Sequence, residues 1–242
     1  MPPALVWTLD GERPLAQYPL PISGDELPLP GSGAVAGGSG DWEVELGFGK
    51  GRYLLRRAAE EPDRCFLGVE VATQYYRLAR DRAERRELGN LALIRGEAIY
   101  LMAAALTAGW AESVHVYFPD PWPKDRHHKR RLFDPETVDL VLGLLRPGGK
   151  LFFASDFLEY GELVREILAR HPAVELELVR DLWPDGARTN YEAKFVAEGR
   201  PIVRLIATRR ELFSGDLLLH PAGRTGVLAA MPRQPQGDEQ SP

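Results

Sequence analysis

Glu43-Val44-Glu45-Leu46-Gly47-Phe48-Gly49-Lys50-Gly51 is the stretch on which the fold turns. A short strand-like run from Trp42 to Leu46 stops at glycines spaced two apart, and a segment of helical period opens at once behind them. Glycine at 47 and 49 permits positive φ and lets a ligand approach the backbone closely. The dinucleotide fingerprint G-x-G-x-x-G is not met, because the third glycine comes one residue early and Arg52 stands in its place. The G-x-G-x-G spacing suits enzymes that use S-adenosylmethionine better, since no pyrophosphate has to sit on the helix N-terminus there.

Outward from this turn the pattern repeats. Strands are expected at 42–46, 65–70, 91–95, 113–118 and 149–155, and helices at 51–61, 72–88, 98–108, 134–145 and 158–170. Strands that alternate with helices and read as buried on both faces predict an α/β fold with a parallel sheet. Arg146-Pro147-Gly148-Gly149 stops one helix, with glycine where a left-handed cap is wanted. Val174 to Val179 and Pro201 to Thr208 are expected to pair antiparallel across a loop, 180–199.

Residues 1–40 are rich in Pro and Gly and read as a lead-in, with room for a short ordered piece at Leu5 to Leu9. The domain proper runs from 41 to 210, and 211–242 is an extension expected to be partly disordered. The 242 residues suit one substantial domain. A formal net charge of −5 argues against nucleic-acid binding through bulk charge, so any such binding needs a local patch. Cys65 is the only cysteine, which removes disulfide frameworks and cysteine-based metal sites. Adjacent His127 and His128 lack the ligand spacing of a metal centre, and none is expected. There is no bilayer-length apolar run and no signal-peptide start, so a cytoplasmic protein is expected.

Three acids fall at successive strand ends. Glu45 precedes the glycine turn and could hold an ammonium group. Glu70 ends the second strand, where an acid can accept hydrogen bonds from both ribose hydroxyls. Glu97 follows the third strand. Together they line the sheet edge at which open α/β sheets bind ligands.

The fourth strand runs into Phe118-Pro119-Asp120-Pro121-Trp122-Pro123-Lys124, then Asp125-Arg126-His127-His128-Lys129-Arg130-Arg131. Asp120 lies between prolines that fix their own φ and bias the residues before them towards extended geometry. Lys124, Arg126, Lys129, Arg130 and Arg131 against Asp125 make a cationic strip able to position RNA phosphates. Alone, this stretch fits a solvated Pro-rich loop as well as a base-handling site. Asp156 ends the fifth strand, and Thr189-Asn190-Tyr191-Glu192 with Lys194 lies in the 180–199 segment, which in isolation reads as a polar connector with a helix cap. A nicotinamide-dependent oxidoreductase would share the glycine turn and Glu70, and a non-catalytic RNA-binding protein would share the basic strip.

Residues 42 to 207 resemble the single-subunit bacterial tRNA (guanine-N7-)-methyltransferases. Val116-Tyr117-Phe118-Pro119-Asp120-Pro121-Trp122-Pro123-Lys124 with the basic run after it carries the resemblance, and Thr189-Asn190-Tyr191-Glu192 looks like the family's second signature. The resemblance implies a Rossmann-like class I methyltransferase fold, with a mostly parallel seven-stranded sheet, helices on both faces and an antiparallel last strand. It implies methyl transfer from S-adenosylmethionine to N7 of a guanine in tRNA, usually position 46 of the variable loop. By position, Glu45, Gly47, Gly49, Glu70, Glu97 and Asp120 match the cofactor site, and Asp120 the active-site residue. Lys124, Asp156, Thr189, Asn190, Tyr191 and Glu192 match substrate-binding positions, and Arg126, Lys129, Arg130 and Arg131 are expected to meet the RNA backbone. The implied partner is tRNA, with no membrane, no obligate protein partner, and a monomer or homodimer. Two departures stand out. Glu97 replaces a more usual Asp, and Tyr117 replaces a smaller or amide residue.

Overall fold

A computed structural model describes residues 5–8, 42–104, 109–135 and 137–210. Most of the lead-in, the 211–242 extension and the last turn expected for the 98–108 helix lie outside the described residues, as does the Lys129 side chain.

Among these residues eight strands form one sheet: β1 (Leu5–Thr8), β2 (Trp42–Leu46), β3 (Cys65–Glu70), β4 (Leu91–Arg95), β5 (Ala111–Tyr117), β6 (Leu145–Ser155), β7 (Val174–Leu178) and β8 (Val203–Arg209). Their spatial order is β1-β4-β3-β2-β5-β6-β8-β7. The expected seven strands are all present, and β1 adds an eighth by pairing parallel with β4. β8 runs antiparallel to both β6 and β7, so it alone opposes the rest.

Among the described residues six α-helices connect them: α1 (Arg52–Glu60), α2 (Thr73–Arg85), α3 (Ala98–Ala104), α4 (Thr137–Leu144), α5 (Leu158–Arg170) and α6 (Asn190–Ala197). α6 corrects the expectation of a plain loop over 180–199. Thr189 caps it, its Oγ1 accepting from the Glu192 amide at 3.0 Å.

The two sheet faces are packed differently. Trp42, Val44 and Leu46 look into the larger apolar core with Leu67, Val116, Phe153 and Tyr160. The opposite face packs Phe66 and Leu93 beneath Phe48, Leu54, Tyr76 and Ala79. Gly68 sits on that face because a Cβ there would collide with side-chain carbons of Leu54, Phe48 and Leu93. Beside it, Glu43, Ser113 and His115 are buried polar side chains.

β2 lies between β3 and β5, so the chain winds one way through β3 and β4 and the other way through β5 and β6. That reversal opens a crevice at the carboxyl ends of β2 and β5, the place where open α/β sheets take ligands. Among the described residues no helix is long and apolar enough to cross a membrane.

Candidate active site

At the switch point the chain turns from β2 into α1 through Gly47, Gly49 and Gly51, with φ of 75°, 52° and 72°. These are left-handed conformations that side-chain-bearing residues rarely hold. A Cβ at Gly47 or Gly49 would meet nothing within 4 Å, so the turn leaves open space against its backbone. Gly51 differs, being packed against Leu55 and Ala79.

Glu45 is 2% exposed, and its Oε2 has no hydrogen-bond partner. Burial raises its carboxyl to about 8, although the Leu54 amide it accepts from pulls the other way. A buried, half-satisfied carboxylate is costly in a finished core and suits a site completed by a donor from outside. Glu70 is oriented firmly. Its Oε2 accepts from the Gly49 amide and its Oε1 from the Ala72 amide, each at 2.8 Å. Gly96 donates to the Glu70 carbonyl at 3.0 Å, which seats Glu97 next to it at the start of α3. The three expected acids thus share one crevice edge.

The loop after β5 departs from expectation in its backbone. Phe118 and Trp122, each followed by proline, have φ of 53° and 42° rather than the extended geometry prolines impose on their predecessors. A left-handed non-glycine residue costs about 1–3 kcal/mol and persists only where its surroundings force it. Here the Phe118 amide donates to the Ala154 carbonyl at 2.7 Å, while Arg131 Nε donates to the Pro121 carbonyl at 2.7 Å. Arg131 is in turn bidentate to Glu159, at 2.9 and 3.1 Å, and lies over the Tyr160 ring. Held this way, Asp120 is exposed at the loop's apex.

Arg131 therefore leaves the cationic strip. It is 2% exposed and clamps the loop from beneath, which corrects its expected place on the RNA surface. Lys124, Arg126 and Arg130 are exposed, the last two on a 3-10 turn over Asp125–Arg130. Trp122 is half-buried. The Arg130 guanidinium stands 5.0 Å from its ring, and the His127 ring meets it edge-on at 5.7 Å.

Across the crevice stands α6. Tyr191 is 58% exposed, lies 6.1 Å from the Phe195 ring in a stacked arrangement, and tilts towards Phe118 at 6.5 Å. Its phenol is raised by a neighbouring phenol, Tyr75, to which it is hydrogen-bonded, and also by the charge of Asp120. Tyr191 is thus brought beside Asp120, whereas Trp122 is covered by its own loop. Asn190 Oδ1 accepts from Arg52 at 3.3 Å, which ties α6 to the first turn of α1. Asp156 faces Arg200 at 3.6 Å, and that guanidinium covers the Phe195 ring at 4.7 Å.

Glu192 is the exception among the expected substrate-binding side chains. It is 0% exposed, its Oε1 accepts from Arg204 at 2.7 Å, and its Oε2 accepts from the Arg188 amide at 2.8 Å. Both oxygens are engaged by the protein itself, so the carboxylate holds α6 in place. Tyr75, Arg188 and Arg200 carry no assignment from the sequence, yet all three structure the site. The signal for Arg188 was its place directly before the Thr-x-aromatic-Glu segment.

A parallel sheet with one reversed strand, a glycine turn at its switch point and strand-end acids define a class I S-adenosylmethionine-dependent methyltransferase. A family model described as "Putative methyltransferase" matches residues 41–205. The chain is 34% identical over 211 residues to a tRNA (guanine-N(7)-)-methyltransferase of Alkalilimnicola ehrlichii, covering 86% of this chain and 85% of the relative. It is 35% identical over 159 residues to one of Nitrosococcus oceani, covering 66% and 67%. The chain belongs to the tRNA (guanine-N7-)-methyltransferase family. Among solved structures it is similar in fold to the 16S rRNA methyltransferase KamB, with a TM-score of 0.53, 15% identity, and 70% and 88% of the two chains covered.

Proposed function

We propose that the protein methylates N7 of a guanine in tRNA, at position 46 of the variable loop, acting in the cytoplasm without an obligate protein partner. The observation that carries this reading is Asp120, exposed on a strained loop with the acid-lined glycine turn on one side and exposed cations on the other.

S-adenosylmethionine supplies an electrophilic sulfonium methyl group. The open backbone at Gly47 and Gly49 and the unpartnered Glu45 Oε2 support this reading, in which Glu45 would accept from the cofactor's ammonium and Glu70 from its ribose hydroxyls, with Glu97 alongside. Guanine N7 already presents an in-plane lone pair, so no residue has to remove a proton first. What remains for the protein is alignment, worth several kcal/mol in well-oriented pairs, and stabilisation of charge. The methylated ring becomes cationic, and Asp120 offers a carboxylate to that charge or to the N1–H and N2 amino edge. Tyr191 offers the exposed ring on which an unstacked base can lie. Asp156, Thr189 and Asn190 surround that place, while Lys124, Arg126 and Arg130 meet backbone phosphates.

Unmodified tRNA incubated with the enzyme and methyl-labelled cofactor should gain N7-methylguanine, and chain cleavage should map it to the variable loop. Label at another guanine, or at another ring atom, would correct the substrate. Heat evolved with S-adenosylmethionine but not with NAD separates this reading from a nicotinamide enzyme.

The raised Glu45 carboxyl sets a pH dependence. With a value of about 8 it is mostly protonated at pH 7, and a cationic ammonium favours the ionised form. Cofactor binding near pH 7 should therefore release protons, and affinity should rise from pH 6 towards 8, above which the ammonium itself begins to lose its charge. Calorimetry in two buffers of different ionisation enthalpy measures the release. Glu45→Gln should abolish it.

Neutralising Lys124, Arg126, Lys129 and Arg130 together should weaken tRNA binding. It should also flatten the plot of log affinity against log salt by roughly one unit for each phosphate no longer neutralised. An unchanged slope would remove the strip from the interface. Arg131→Gln should instead lower the melting temperature, because it unclamps the loop and strips Glu159 of its partner.

A further inference from the structure

Arg188 lies 71 positions after Tyr117 yet reaches it, its Nη1 donating to the Tyr117 hydroxyl at 2.6 Å. Its Nε donates to Asp185 Oδ1 at 2.9 Å, and its backbone amide to Glu192 Oε2 at 2.8 Å. The guanidinium stands among four aromatic rings, 4.5 Å from Trp183, 4.8 Å from Phe152, 5.3 Å from Tyr53 and 5.9 Å from Tyr117. A charge this buried is expensive, and an apolar side chain of like size would pack there at lower cost. The rings and Asp185 offset part of that expense. Neither explains why a guanidinium is needed, whereas what it joins does.

Tyr117 is the last residue of β5, directly before strained Phe118 and two before the Pro119–Asp120 peptide. Arg188 is the residue before the Thr189 cap, and so before Asn190 and Tyr191. We infer that Arg188 is a positioning residue that fixes the distance between the Asp120 loop and the α6 turn, the two walls of the methyl-acceptor pocket. This rests on the reading of those walls as the guanine site. Only a planar fork can bond Tyr117 and Asp185 at once from a place among these rings. Tyr117 is itself held from behind, its hydroxyl 2.8 Å from His115 Nδ1, and His115 Nε2 is 2.8 Å from Ser113 Oγ. Burial, with Arg188 nearby, keeps that imidazole neutral, so the chain behind Tyr117 is one of fixed hydrogen bonds.

The function of Arg188 can be restored from outside. A cavity of about 800 Å³ is walled by Arg188, Asp185, Tyr53, His115 and Phe152, and it gives a small cation a way to the vacated place. In Arg188→Ala, kcat for tRNA methylation should fall roughly ten- to hundredfold, the scale expected when reacting groups lose alignment. S-adenosylmethionine affinity should fall less than kcat does, since Arg188 makes no hydrogen bond to the glycine turn or its acids and acts on Glu45 only through its charge. Millimolar guanidinium should restore several-fold of the lost kcat in Arg188→Ala and none in Asp120→Ala, and Arg188→Lys should recover less than guanidinium does. Hydrogen–deuterium exchange should speed up together in 117–122 and 189–192 of Arg188→Ala. If the wild-type enzyme were inert towards tRNA, the reading of the pocket would fail while the exchange experiment still judged the clasp. A folded Arg188→Ala with normal kcat overturns the inference, as does faster exchange in only one of the two segments. So does a kcat loss that guanidinium leaves untouched.

Discussion

Replacing Asp120 with alanine should lower kcat for tRNA methylation by roughly 10²–10³-fold, the loss typical when one preorganised electrostatic group is removed from a transition state. The fold should survive. Asp120 is exposed, and among the described residues its carboxylate makes no hydrogen bond or ion pair, acting only through its charge on Tyr191. The loop geometry is set by other groups, namely the Phe118 amide on Ala154 and Arg131 on Pro121, and neither depends on the Asp120 side chain. Asp120→Asn tells the two modes of action apart. If the carboxylate acts by its charge on the developing guanine cation, asparagine should be as poor as alanine. If it acts by accepting from N1–H and the N2 amino group, the amide oxygen retains part of that task, and Asn should sit well above Ala with a raised KM. A near-normal circular dichroism spectrum, with kcat measured at saturating S-adenosylmethionine because Asp120 also matches a cofactor-site position, assigns the loss to chemistry. A folded alanine variant with near-normal turnover would remove Asp120 from the active site.

How much of this was legible in the sequence depends on the range of the interactions involved. The seven core strands and the edge they share follow from local pattern, because alternation and glycine turns are written within a few residues. Glu45, Glu70 and Glu97 were legible for the same reason, since a strand end in a parallel sheet has only one place to go. β1 was harder, because four residues of Leu5–Thr8 join the sheet only through a distant strand, β4. α6 reads in sequence as no more than a polar connector with a helix cap, although Thr189-Asn190-Tyr191-Glu192 has the S/T-x-x-E form of a capping box. Its carboxylate does not close that box but turns to the Arg188 amide and Arg204. The cationic run misled in one position. Neighbours in sequence, Arg130 and Arg131, end on opposite sides of the loop surface, because the chain leaves a tight 3-10 turn between them and drives the second guanidinium into Glu159 and Tyr160. The strain at Phe118 and Trp122 is likewise tertiary. Proline alone predicts the reverse, and only the clamps on either side of the loop overrule it.

Glu192 offers the second large effect, and it separates holding from touching. The ion pair with Arg204 is closed to solvent on both sides, with the carboxylate 0% and the arginine 7% exposed. Glu192→Ala leaves a buried guanidinium with no counter-charge and the Arg188 amide with no acceptor. Breaking a buried pair from one side costs about 3–5 kcal/mol. In a domain of this size that corresponds to a fall in melting temperature of roughly 10 °C. Activity should fall as well, because α6 carries Tyr191 and Asn190 and its first turn hangs on that carboxylate. The double variant Glu192→Leu with Arg204→Met removes both charges and replaces them with apolar bulk, an exchange that is often neutral or better for stability. It should recover most of the lost melting temperature. If Glu192 only holds the helix, activity should return in step with stability, short of the part owed to the Arg188 amide. If Glu192 also reaches the guanine, the double variant should be stable and still inactive. The engagement of both oxygens within the protein leads us to expect the first outcome, and a stable, inactive double variant measured against tRNA would reverse it.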